Sequence, residues 1–113
     1  MSKKDWKILV NDILYAINKI ENYTKELTYD DFIVNDLVKD AVVRNIEIIG
    51  EASNRIPDDL KSQSEKIPWK KLRGIRNRIV HDYFGIDHDI IWQIISIELR
   101  VLKEDLNQLL NSN

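Results

Sequence analysis

Arginine, histidine and tyrosine fall together in one short run of this chain, Arg76-Asn77-Arg78-Ile79-Val80-His81-Asp82-Tyr83. Arginine keeps its charge at every accessible pH and offers a planar fork of donors to a phosphate. Histidine gives and takes a proton near neutral pH, as general acid–base chemistry requires. Together they are the minimum equipment for acting on a phosphodiester, and the chain has only one other histidine, His88. If the run is helical, Arg76 and Tyr83 share a face, Asn77 and His81 share a neighbouring one, and Arg76 and His81 are offset by about 140°. That offset favours a cleft shared between two copies of the chain over a site complete in one. His81 then lies near a helix C-terminus, where the dipole favours the imidazolium. The same spacing also describes a plain helix end, with His81 capping the last carbonyls and Tyr83 packed in the core.

The surrounding charge has the same two readings. Residues 61–81 hold seven basic side chains (Lys61, Lys66, Lys70, Lys71, Arg73, Arg76, Arg78) against one acid, Glu65, so this segment is +6 in a chain whose net charge is −2. Such asymmetry marks either a basic patch on an acidic body or a helix face whose charges pair with acids elsewhere in the fold.

The elements that must position these residues are helical. Ser2-Lys3-Lys4-Asp5 reads as a capping box, and Trp6, Leu9, Val10, Ile13, Ile17 and Ile20 follow at three- and four-residue spacing, predicting a first helix to about Glu26. Thr28-Tyr29-Asp30-Asp31 repeats the capping pattern and opens a short helical segment through Phe32 and Val34. Asn35 or Asp36 caps a long third helix that buries Leu37, Val38, Ala41, Val42, Ile46, Ile49 and Ala52 and stops near Ile56, ahead of Pro57. Residues 58–67 form a polar connection with room for one helical turn. Pro68 suits the first position of the next helix, with Trp69, Leu72, Ile75, Ile79 and Val80 as its stripe and Gly85 as its stop. Asp87 caps a final helix carrying Ile91, Ile94, Ile95, Val101, Leu102, Leu106 and Leu109. The expected fold is all-α, a bundle of four principal helices with a short extra helical segment, in a single domain over residues 1–113.

The last helix also holds Ile90, Trp92, Ile97 and Leu99, so apolar residues cover well over half its circumference. A helix so clad is buried on two sides, either centrally in the bundle or against a second copy of the chain. With no cysteine, disulfides and thiolate metal sites are excluded. Met1–Trp6 lacks the apolar run of a signal peptide and no stretch approaches the roughly 20 apolar residues of a membrane span, so the expectation is a cytoplasmic protein without a membrane segment. His88 follows the expected cap Asp87 and reads as a surface or capping residue, and Asp87 with Asp89 as an N-terminal charge arrangement rather than a metal site. Glu47 and Glu51 either face a cleft and orient Arg76 or Arg44, or stay in solvent or pair with Arg55. Trp6, Trp69 and Trp92 fall in helical stripes and are expected in the core.

On these residues the chain resembles HEPN-domain ribonucleases, and more narrowly the HepT toxins of HepT–MntA toxin–antitoxin pairs. The resemblance rests on Arg-x4-His-x-Tyr at Arg76, His81 and Tyr83, on Arg44-Asn45-Ile46-Glu47-Ile48-Ile49-Gly50-Glu51-Ala52, on Ile67-Pro68-Trp69, and on Tyr83-Phe84-Gly85-Ile86-Asp87. It covers nearly the whole chain. It implies a dimeric, metal-independent endoribonuclease in which the ribose 2′-hydroxyl attacks the adjacent phosphate, with no cofactor. Arg76 would hold the scissile phosphate, His81 would be the catalytic histidine, and Asn77 the polar residue that follows the arginine. Arg44, Glu51, Arg73 and Arg78 are further candidates for RNA contact or the cleft. It also implies a partner, an MntA-like nucleotidyltransferase antitoxin that transfers AMP onto Tyr83. Asp82 departs from the small residue frequent there in similar sequences. A reading of a different class is a non-catalytic HEPN subunit that binds substrate for such a nucleotidyltransferase.

Overall fold

Helices make up nearly all of the computed structural model, which describes residues 5–80 and 85–112. Ser2, Lys3 and Lys4 of the expected capping box lie outside the described residues, as do His81, Asp82, Tyr83 and Phe84. Helix α1 spans Asp5–Thr24, two residues short of the expected end, and the Thr24 hydroxyl donates to the Ile20 carbonyl at 2.8 Å. Its Trp6, Leu9, Val10, Ile13, Ile17 and Ile20 are all buried. Thr28 caps α2 (Tyr29–Ile33) through a reciprocal box: its Oγ1 accepts from Asp31 N and its own N–H donates to Asp31 Oδ2, each at 3.1 Å. Val34, expected within this segment, is instead its exposed C-terminal cap.

Asn35 caps α3 (Asp36–Arg55), its Oδ1 accepting from Val38 N at 3.0 Å. The helix stops where expected, with Ile56 extended before Pro57. Its expected apolar stripe fails at one end: Leu37 is 81% exposed, and Ala41 is only partly buried. Leu37 faces solvent, while its neighbour Val38 in the same first turn packs against the core. Within the polar connection, α4 (Asp58–Gln63) buries Leu60.

The helix expected from Pro68 to near Gly85 is shorter and broken. Pro68 is its cap rather than its first residue; α5 (Trp69–Arg73) ends at Gly74, and α6 (Ile75–Ile79) ends at Val80. Val80 is extended (φ −92°, ψ 126°), 40% exposed, and bridged antiparallel to Ile86. The Asp87 N–H donates to the Ile79 carbonyl at 2.7 Å, and Gly85 takes φ +115°, a conformation that favours glycine. The chain therefore leaves the helix at Val80 and is back beside it by Ile86. The expected offset between Arg76 and His81 rests on His81, which lies outside the described residues.

Asp87 caps α7 (His88–Gln93) as expected, its Oδ1 accepting from Ile90 N at 3.1 Å. A π-helical turn, Ile94–Glu98, then leads without a break into α8 (Leu99–Asn111). One residue more per turn changes which positions face inward. Ile91 and Ile94 are buried before the turn, and Leu99, Leu102 and Leu106 after it. Val101, expected inside, is 53% exposed for that reason, while Ile95 and Leu109 are partly buried. Trp6 and Trp69 are core residues; Trp92 is partly buried and packs against Phe32 (centroids 5.4 Å apart) and Tyr29 (5.9 Å). Helix α1 packs on α3 and α8, and α3 packs in turn on α5 and α6. These α1, α3, α5–α6 and α7–α8 units are the four principal helices of an all-α bundle. Among the described residues no helix is long and apolar enough to cross a membrane.

Candidate active site

Close packing of α3 on the short helix pair builds the site. A Cβ added at Gly50 would lie 3.2 Å from Ile75 Cγ2 and 3.4 Å from the Leu72 carbonyl, a tight fit that glycine relieves where the two elements meet. The approach brings Glu47, one turn before Gly50, to Arg76 on α6: Glu47 Oε2 lies 3.5 Å from Arg76 Nε. Arg76 is two-thirds exposed and Glu47 one-third, so the pair adds little to stability but sets where the guanidinium sits. Contact through Nε leaves the forked end of the guanidinium for another anion.

Arg76 and Arg73 form one wall of an open groove of about 430 Å³; Glu47, Gly50, Glu51 and Asn54 of α3 form the other. Both arginines are exposed and one helical turn apart. The groove thus unites four residues singled out from the sequence: Arg73, Arg76, Glu47 and Glu51. Of the partners considered for Glu47, Arg76 is the one with which it forms an ion pair among the described residues. Asn54 escaped sequence reasoning, although its spacing of three from Glu51 and seven from Glu47 places it on their face of α3. Asn77 is exposed on α6 but does not line the groove, and neither does Arg44, exposed on α3. His81 and Tyr83 lie outside the described residues.

Arg78 is engaged elsewhere. Its Nη1 and Nη2 donate to Glu98 Oε1 and Oε2 at 2.9 and 3.0 Å, a bidentate clasp between α6 and the π turn. Lys71 Nζ (3.4 Å) and Gln93 Nε2 (3.0 Å) complete the ring of donors around Glu98. The Arg78 hydrogen bonds, helped by the charges of Arg78 and Lys71 and opposed by burial, hold the Glu98 carboxyl down to about 2 from an ordinary 4.5. Arg78, expected as an RNA contact or cleft residue, has its fork filled and acts as a brace.

The basic segment is correspondingly less positive than its formal charge. Four of its seven cations are ion-paired: Lys66 with the buried Asp105, Lys71 and Arg78 with Glu98, and Arg76 with Glu47. Among the described residues Lys61, Lys70 and Arg73 form no ion pair. At the far end of α3, His88 Nε2 lies 3.4 Å from Lys39 Nζ and Asp89 accepts from the Tyr29 hydroxyl at 2.5 Å, contacts that tie the start of α7 to α2 and α3. Among the described residues no group of three or more His, Cys, Asp or Glu side chains is placed to hold a metal ion.

Comparison with known proteins identifies a family and several similar chains. The family model described as "Ribonuclease HepT-like" matches residues 13–109. A putative RNase of Methanocaldococcus jannaschii is 40% identical over 106 residues, covering 94% of this chain and 97% of the relative. A second from the same organism is 37% identical over 110 residues, covering 97% and 95%. The probable ribonuclease HepT of Thermococcus cleftensis is 36% identical over 107 residues, covering 95% and 97%. No solved structure matches the chain.

Proposed function

This chain belongs to the HepT-like ribonuclease family, and from that premise we propose that it is a metal-independent endoribonuclease, the toxin of a HepT–MntA toxin–antitoxin pair. The 2′-oxygen of the substrate attacks the adjacent phosphorus as its proton passes to a base. The P–O5′ bond breaks and the leaving oxygen takes up a proton, giving a 2′,3′-cyclic phosphate and a free 5′-hydroxyl. Arg76 binds the phosphate oxygens and stabilises the charge that grows on them. His81 moves the protons, and Asn77, exposed beside the arginine, supplies a polar contact. Acid and base roles together need two groups, which a homodimer supplies by presenting two His81 side chains to one cleft. Exposed Ile97 and Val101, one turn apart on the last helix, are apolar surface available to such a contact.

The antitoxin is an MntA-like nucleotidyltransferase that silences the enzyme by AMP transfer. The Tyr83 oxygen attacks the α-phosphorus of ATP, its proton is lost, and pyrophosphate leaves. The added phosphodiester brings negative charge seven residues from Arg76, where it competes for the guanidinium and repels RNA.

The observation that most supports this reading is the exposed Arg76 guanidinium, tethered through Nε by Glu47 at the mouth of an open groove. The purified protein is expected to cut single-stranded RNA in EDTA, and Arg76→Ala and His81→Ala each to cut it at least about a hundredfold more slowly. Intact RNA, or equal cutting by the variants, would overturn the enzyme and leave a non-catalytic subunit.

A further inference from the structure

Glu51 is an unexpected occupant of a phosphate-binding groove. It lines the same groove as Arg73 and Arg76, is exposed, and forms no ion pair among the described residues, its neighbour Arg55 at i+4 included. Glu47, the other carboxylate of the groove, is accounted for by Arg76. A carboxylate without an ion pair repels a phosphodiester, so in this wall it is suited to a part of the ligand that carries donors. In RNA those donors are on the base edges. Only guanine sets two adjacent donors, N1–H and N2–H, on one edge, which matches the two oxygens of a carboxylate. Adenine, cytosine and uracil each place an acceptor beside the donor. Asn54, three residues further along α3, adds an amide able to donate to guanine O6. Arg73, three residues before Arg76, forms no ion pair among the described residues and suits a neighbouring phosphate, where arginine positions the strand without reading it. The groove's volume of about 430 Å³ falls in the range of small-ligand clefts.

We propose that this groove is a guanine subsite next to the scissile phosphate, with Glu51 and Asn54 reading the base edge and Arg73 holding the adjoining phosphate. The assignment rests on the ribonuclease reading and adds to it a base preference. The test is cleavage of a randomised single-stranded RNA in EDTA, with the fragment ends sequenced. With the wild-type protein, guanine is expected at one fixed position flanking the cut, enriched about tenfold or more, as a bidentate pair provides. Among fragments made by Glu51→Gln that enrichment falls to background. A second comparison needs no cutting: an oligonucleotide made uncleavable by a 2′-deoxy sugar, carrying guanine or inosine at that position. Inosine lacks the 2-amino group, so the wild-type protein should bind the guanine strand about tenfold more tightly and Glu51→Gln should bind both alike. No base enrichment, or a guanine preference that survives in Glu51→Gln, would overturn the assignment. Failure of the wild-type protein to cut any RNA would contradict the ribonuclease reading, and the binding comparison would then decide the subsite alone.

Discussion

Three arginines within six residues have three different surroundings, and their surroundings separate their roles. Arg78 has both prongs closed by Glu98, Arg76 is held by one nitrogen, and Arg73 forms no ion pair among the described residues. The sequence motif set Arg76 apart but left Arg73 and Arg78 as equal candidates; the clasp of Arg78 on Glu98 distinguishes those two. On the proposed mechanism Glu47 is a positioning residue that acts through Arg76. Glu47→Gln is expected to lower kcat about three- to tenfold with KM nearly unchanged, since a misplaced guanidinium is felt most in the transition state. In an Arg76→Ala background the same substitution should have no further effect. Equal losses in both backgrounds would mean that Glu47 acts by another route.

At the scale of elements, caps and apolar periodicity made the long helices legible, because Thr28, Asn35, Pro57 and Asp87 each carry a local signal that tertiary packing leaves intact. Two breaks in regularity were not legible. The motif helix ends at Ile79 because Val80 pairs with Ile86 and Gly85 turns the chain with φ +115°, a contact set by residues six apart rather than by helix propensity. The π turn exchanges Val101 for Leu99 in the core, and an α-helical count has no means of registering it. It also leaves Glu98, at its end, to Arg78. The folded-state pKa of Glu98, about 2, lies below its ordinary 4.5, so its contribution is fully present above pH 4.5 and is lost as pH falls from there toward 2. Glu98→Gln is expected to cost about 1–2 kcal/mol at pH 7, allowing for solvent screening of a part-exposed pair. Urea midpoints of the two proteins should converge as pH falls from 4.5 toward 2; a constant gap across that range would show that the clasp does not titrate.

For the molecule as a whole, most of the basic segment is balanced internally, through Lys66–Asp105, the Glu98 cluster and Arg76–Glu47. On the proposed reading RNA is held in a local groove, so affinity should come from a few contacts and fall only modestly with salt. The proposed regulation at Tyr83 belongs to this scale because it requires a second protein. After co-expression with an MntA-like nucleotidyltransferase, mass spectrometry should find AMP on the wild-type chain and none on Tyr83→Phe, which should stay active. An inactive complex with unmodified Tyr83 would mean silencing by occlusion. The central claim is attack by the ribose on its own phosphate, and one substrate tests it: RNA carrying a single 2′-deoxy sugar at the mapped cut. The account predicts that in EDTA the all-ribose strand yields 2′,3′-cyclic phosphate and 5′-hydroxyl ends while the substituted strand stays whole. Cutting that persists at the 2′-deoxy position, or that appears only when a divalent metal is added, would contradict it.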